Sequence, residues 1–129
     1  MEIALRTALI GWLAADPVLA AAINSVTEEA PASAAIPWLA IATSASADWS
    51  VKDCPGREVR IALELHCRGD RPDTAAELVR GLEARIAALP RDQPGFAVVN
   101  AQFLRARSEQ RAGNVRSVLL EYRFRLLAA

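Results

Sequence analysis

The sequence predicts an α+β fold: a four-stranded antiparallel sheet with an N-terminal helical segment and one long helix packed on one face. Three observations carry this. Residues 58–67 alternate strictly, Val59, Ile61, Leu63, Leu65 and Cys67 against Glu58, Arg60, Ala62, Glu64 and His66. A period of two over that length marks a half-buried strand. Residues 115–127 repeat the pattern, with Val118, Leu120, Tyr122, Phe124 and Leu126 against Leu119, Glu121, Arg123 and Arg125. Between them, Ala75, Leu78, Val79, Leu82, Ile86 and Leu89 recur at helical spacing over residues 72–89, with Glu77, Arg80, Glu83 and Arg85 outside the stripe.

The remaining elements follow in chain order. Residues 2–15 read as a helix on the stripe Leu5, Leu9 and Trp12, widened by Ile10 and Leu13. Asp16 is a capping residue and Pro17 suits a first helical position, so a short second helix spans residues 17–23. Residues 24–29 hold Val26 and Thr27, which favour a strand, and Glu28 and Glu29, which do not. This segment is a candidate fifth strand at the sheet edge. Pro37 opens a strand over residues 38–45, where its missing donor is tolerated. Trp38 fits either a core or an interface position. Residues 48–57 read as a large projecting loop, longer than an ordinary hairpin connection. Asp70 or Asp73 caps the long helix and Pro90 ends it. A strand over residues 96–107 and a polar turn over residues 108–114 precede the closing strand. The last two strands are joined locally and are therefore antiparallel neighbours.

A chain of 129 residues is read as one domain, residues 1–129, with enough length to bury a core. The formal net charge is zero, so no basic footprint for nucleic acid stands out. Lys52 is the only lysine, and roughly a fifth of the chain is alanine. Both features fit a GC-rich coding sequence. No apolar run approaches a membrane span. The N-terminus, Met1-Glu2, lacks the basic and apolar segments of a secretory signal. The expectation is a chain kept in the cytoplasm unless carried out within something larger.

Candidates for chemistry are few. His66 is the only histidine, on a polar strand face beside Glu64 and Arg68, and reads as a surface residue. Without a second histidine the usual metal sets are not available, and neither a metal nor a cofactor is expected. Cys54 has Lys52 and Arg57 near it in sequence, a weak version of the cationic setting that activates a thiol. Cys67 is in phase with the core and reads as a small hydrophobe. A disulfide between them is disfavoured in a reducing compartment. Glu28 and Glu29 are adjacent and face opposite sides of any strand, which is not acid–base geometry. No glycine-rich phosphate loop is present. Arg105, Arg107, Arg111, Arg116, Arg123 and Arg125 form the best basic cluster. It reads as a solvated face or a subunit contact rather than a base-reading element. No catalytic residues are assigned.

The layout resembles a known family, the small tail-completion proteins of long-tailed phages, also called tail terminators or head–tail joining proteins. The resemblance rests on the opening helix with Ala8 to Leu19 (Ala-Leu-Ile-Gly-Trp-Leu-Ala-Ala-Asp-Pro-Val-Leu) and on Ile36-Pro37-Trp38-Leu39 at a strand start. It continues in Asp48-Trp49-Ser50-Val51-Lys52, in Gly56-Arg57-Glu58, in the helix of residues 73–89 and in the closing Tyr122-Arg123-Phe124-Arg125. Cys54 and Cys67 belong to no motif of that family. The resemblance implies a structural protein that forms a ring, usually of six copies, at the head-proximal end of a tail tube. The tail tube protein and the head connector are the implied partners, and DNA only passes through the lumen. The particle would be a phage, a prophage product or a gene transfer agent. Asp48, Trp49, Ser50, Lys52, Arg57, Arg123 and Arg125 are the expected subunit-interface residues. The other class open at this point is a small soluble α+β enzyme or ligand-binding domain.

Overall fold

A computed structural model describes residues 1–129. Two helices open the chain, α1 (Glu2–Ala14) and α2 (Pro17–Ala22). Strands β1 (Ser25–Thr27), β2 (Trp38–Asp48) and β3 (Gly56–Arg68) follow, then helix α3 (Pro72–Ala87). Strands β4 (Asp92–Gln93), β5 (Phe96–Arg111) and β6 (Val115–Ala128) complete it. The six strands form one sheet in the order β1-β2-β3-β6-β5-β4. Every neighbouring pair is antiparallel except β1 with β2, which is parallel.

This corrects the predicted fold class. The sheet is six-stranded and mixed, it curves into a half-barrel, and strands hold 47% of the chain. Two causes lie outside the reach of periodicity. Strands β1 and β4 are three and two residues long, too short to show a period. Strand β1 reaches β2 through residues 28–37 rather than a tight turn, and a connection of that length permits parallel pairing. The curvature has a local origin too. Register shifts interrupt β2 between Ile41 and Thr43, and β5 between Val98 and Asn100 and between Phe103 and Arg105. Such bulges bend a strand and increase its twist.

The alternation itself is met. Val59, Ile61, Leu63, Leu65 and Cys67 from β3 and Val118, Leu120, Tyr122, Phe124 and Leu126 from β6 are all buried in one apolar cluster. Leu5, Leu9 and Leu13 of α1, Leu19 of α2, and Leu78, Leu82 and Ile86 of α3 fill the same cluster from the helical side. Asp16 caps α2, its carboxylate accepting from the Leu19 amide at 3.0 Å. Neither Asp70 nor Asp73 caps α3: the N-cap is Arg71, and Asp73 lies in the first turn. Trp12 is not part of the buried stripe. Its Nε1 donates to the Arg85 carbonyl at 2.7 Å, and the Arg85 guanidinium lies 3.3 Å from its ring centre. This stacked contact clasps α1 to α3.

The predicted loop of residues 48–57 narrows to residues 49–55. Asp48 ends β2 and Gly56 begins β3, so the two strands form one long hairpin. Its end is compact: Val51 and Cys54 exchange backbone hydrogen bonds at 3.0 Å, and the Trp49 amide donates to the Gly56 carbonyl at 3.0 Å. The polar turn of residues 108–114 is shorter than predicted, because β5 continues to Arg111.

Two predictions test the core. Phe124 is fully buried, so Phe124→Ala lowers unfolding free energy by about 3–5 kcal/mol in denaturant titrations. Burial, and secondarily Glu83, push the Tyr122 hydroxyl up to about 12. Above pH 10 the unfolded chain loses this proton and the folded chain keeps it. Stability therefore falls between about pH 10 and 12, by up to about 3 kcal/mol. Tyr122 is the only tyrosine, so phenolate absorbance reads it directly, and Tyr122→Phe removes this part of the alkaline loss.

Candidate interface residues and family membership

The sheet face away from the helices carries charge. Its residues are those that alternate with the core: Glu58, Arg60, Glu64 and His66 on β3, and Glu121, Arg123 and Arg125 on β6. Side chains of β5 extend the row. Arg105 forms an ion pair with Glu121, which holds the Glu121 carboxyl below its usual range, and Arg123 donates to the Gln102 side chain. Arg125 donates to Glu58 at 3.2 Å. Arg60 and Arg123 are direct cross-strand partners. Like charges in that position repel. The Arg123 Nε is buried without a hydrogen-bond partner. The face is mixed in sign, with a local excess of guanidinium where β3 meets β6.

The structure brings most of the sequence-selected interface residues to one end of this sheet. Asp48 pairs in register with Arg57 across the hairpin, and both are exposed. Ser50 donates to the Asp48 carboxylate at 2.7 Å and accepts from the Gly56 amide at 3.1 Å. Trp49 is half-buried, with the Arg125 guanidinium 5.4 Å from its ring centre. Lys52 is exposed at the tip. Arg123 stands apart, paired in register with Gln102 on β5 rather than facing the hairpin. Gly56 explains how the hairpin closes against β6. A Cβ there would lie 2.4 Å from the Trp49 carbonyl oxygen and 2.8 Å from that of Leu126. Only glycine admits this approach of three backbones.

Residues considered for chemistry occupy structural positions. His66 is half-buried rather than freely exposed: its ring stacks on Trp38 at 4.1 Å and bonds to Glu64. Trp38 is thereby placed on the charged face and not in the core cluster. Cys67 is buried, and burial raises its thiol pKa. Cys54 packs at the hairpin end with Sγ 3.2 Å from the Ala128 carbonyl oxygen. Both cysteines are free thiols. No group of three or more His, Cys, Asp or Glu side chains is placed to hold a metal. The hollow between β2 and β5, of about 240 Å³, is lined by Arg60, Arg105, Glu121 and Tyr122 among others. It holds the Arg105–Glu121 ion pair; of its hydroxyl groups, Ser44 is engaged by Arg6 and Glu2, and no histidine lines it. Sequence reasoning missed the exposed Phe103 and Val99 of β5, because Phe103 shares an alternation face with Val99 and Ala101 that looks like core. The bulges that displace this stretch have no period to read.

Trp49 lies outside the apolar cluster. Trp49→Ala therefore shifts stability by no more than about 1 kcal/mol, the scale of an exposed cation–π contact, as read in thermal or denaturant unfolding. Collapse of the thermal transition would instead make it a core residue.

The comparisons with known proteins agree with this geometry. The profile of a family described as tail completion protein gp17 matches residues 7–127. No curated protein matches the chain. A chain in a solved structure titled "Virion of native gene transfer agent (GTA) particle" shares the fold, with a TM-score of 0.76 at 21% identity, over 98% of this chain and 96% of that one. The chain belongs to the tail completion protein gp17 family and is a structural protein of a phage-like tail.

Proposed function

We propose that this chain closes into a ring of six copies at the head-proximal end of a tail tube, where it stops the tube and joins it to the head connector. Family membership over residues 7–127 is the observation that carries the reading. The shared fold with a chain of a gene transfer agent virion supports a particle of that kind. In this reading the subunit is assembled in the bacterial cytoplasm and then resides in the particle. It is not an enzyme.

The geometry gives each group a part. Asp48, Trp49, Ser50, Lys52 and Arg57 sit at the hairpin end and contact a neighbouring copy or the next ring in the stack. Arg123 and Arg125 lie on the charged sheet face and act in subunit or lumen electrostatics. A curved sheet face with arginines and glutamates interspersed has no base-reading side chains arrayed on a groove-entering element, so any contact with passing DNA is of the backbone type and salt-dependent. Head-to-tail closure requires two different surfaces on each copy.

Copy number in purified particles tests the proposal, by quantitative mass spectrometry against a structural protein of known count. Several copies per particle, in a symmetric ring by electron microscopy, are expected. A single copy per particle overturns it. A monomer in dilute solution is compatible with it, and addition of tail tube protein should then raise the mass measured by mass photometry.

A further inference from the structure

Each end of the sheet leaves a stretch of strand without a neighbour. Strand β1 covers β2 only from Trp38 to Ala40, and the Ile41 amide is taken by the Glu28 carbonyl at 3.2 Å. Residues 43–48 of β2 have no strand beyond them. At the opposite end, β4 covers β5 only at Phe96 and Ala97, and the Val98 amide is taken by the Arg91 carbonyl at 2.7 Å. Residues 99–111 of β5 are likewise unpaired on their outer side. Free edges of this length are templates for another strand, and proteins that stay monomeric block them with proline, lysine or an inward charge. The β2 edge reads Thr-Ser-Ala-Ser-Ala-Asp. It carries none of these blocks until its last residue.

We infer that the two edges are made for each other: residues 43–48 of β2 in one copy pair with β5 of the next, so that one β-sheet runs from subunit to subunit. The inference rests on the ring reading above and names its interface. Polarity agrees. Strand β5 is antiparallel to β2 within a copy, since three successive antiparallel pairings separate them. A rotation about an axis running along the strands preserves direction, so β2 of the neighbour meets β5 antiparallel. Height agrees too. The register rows Ser44–Ile61–Tyr122–Phe103 and Ala45–Arg60–Arg123–Gln102 each run from one free edge to the other. A neighbour added without a shift along the strands sets its Ser44 beside Phe103 and its Ala45 beside Gln102.

Side chains fit this arrangement. Phe103 and Val99 are 43% and 39% exposed on β5, and the facing β2 edge has small side chains, with the Ser44 hydroxyl bonded to Arg6 and Glu2 so that the neighbour's Phe103 ring would meet the Arg6 guanidinium there. Charge adds little to this match, since Glu28 and Glu29 are paired with Arg6, Arg105 with Glu121, and Arg107 and Arg111 with Glu109. The bulges in both strands supply the bend that a sheet closing on itself requires.

Cysteine pairs in assembled particles test this. In a Cys54→Ser, Cys67→Ala background, Ala45→Cys is combined in turn with one cysteine at each of positions 99 to 109, and the particles are oxidised mildly. The expected result is a ladder of crosslinked oligomers peaking near Gln102→Cys, with alternate positions weak because their side chains point to the other face. Rings of normal copy number without a crosslink above the single-cysteine controls at any position overturn the edge pairing and leave the ring reading intact. One copy per particle overturns both. Since crosslinking is read only in completed particles, variants that fail to assemble are replaced by Ala47→Cys scanned against the same positions, with the same two outcomes.

Discussion

The β3–β6 ladder is the constraint on which the rest of the structure depends. It runs without interruption from the Gly56–Leu127 pair to the Arg68–Val115 pair. Two hairpins, β2–β3 and β5–β6, are joined only through it. Because pairing in register fixes which side chains share a face, this ladder puts Val59 to Cys67 and Val118 to Leu126, at every second position, on the helical side, and Glu58, Arg60, Glu64, Glu121, Arg123 and Arg125 on the other. A slip of one residue would bury Arg123 and Arg125 and expose Phe124. The same ladder seats Glu58 against Arg125 beneath Trp49, and it pushes β2 and β5 to the outside of the sheet.

The helical side shows how weakly each helix is specified alone. Helix α2 has six residues and one buried side chain, Leu19. It is held by the Asp16 cap and by packing on its neighbours, as a helix of that length must be. The contact of Trp12 with Arg85 fastens α1 to α3 through two hydrogen bonds and a stacked guanidinium. Aromatic and cationic groups are thus used here for internal clamping, and only Trp49 among the tryptophans sits at the hairpin end.

What was legible in the sequence follows the length of the pattern. Strands β3 and β6 and helix α3 are long and periodic, and their core faces were readable residue by residue. Strands β1 and β4 carry no period, and β1 is held by pairing with Trp38–Ala40 rather than by its own propensity. The parallel pairing and the half-barrel were illegible for that reason, since both depend on contacts remote in sequence and on bulges with no composition signal. The connection read over residues 48–57 is present but shorter, residues 49–55, because Asp, Lys, Pro and Gly signal a turn but not its size. The structure then drew Asp48, Trp49, Ser50, Arg57 and Arg125 to one end, a grouping that residue types alone did not contain. Arg123 lies on the same charged face but away from that end, in register with Gln102.

Strand order also has a consequence for how the chain is made. Strand β6 lies at the middle of the sheet, yet it follows every other strand in sequence. Until it leaves the ribosome, β3 and β5 each lack the neighbour that buries half of their backbone, and their apolar faces have no common wall. The emergence of β6 therefore inserts a keystone between β3 and β5. Pairings between distant segments form slowly, and unfinished sheets with open edges are prone to stick to one another. Deletion within β6 removes part of the centre of this fold, whereas loss of the short strands β1 or β4 would trim only its margins.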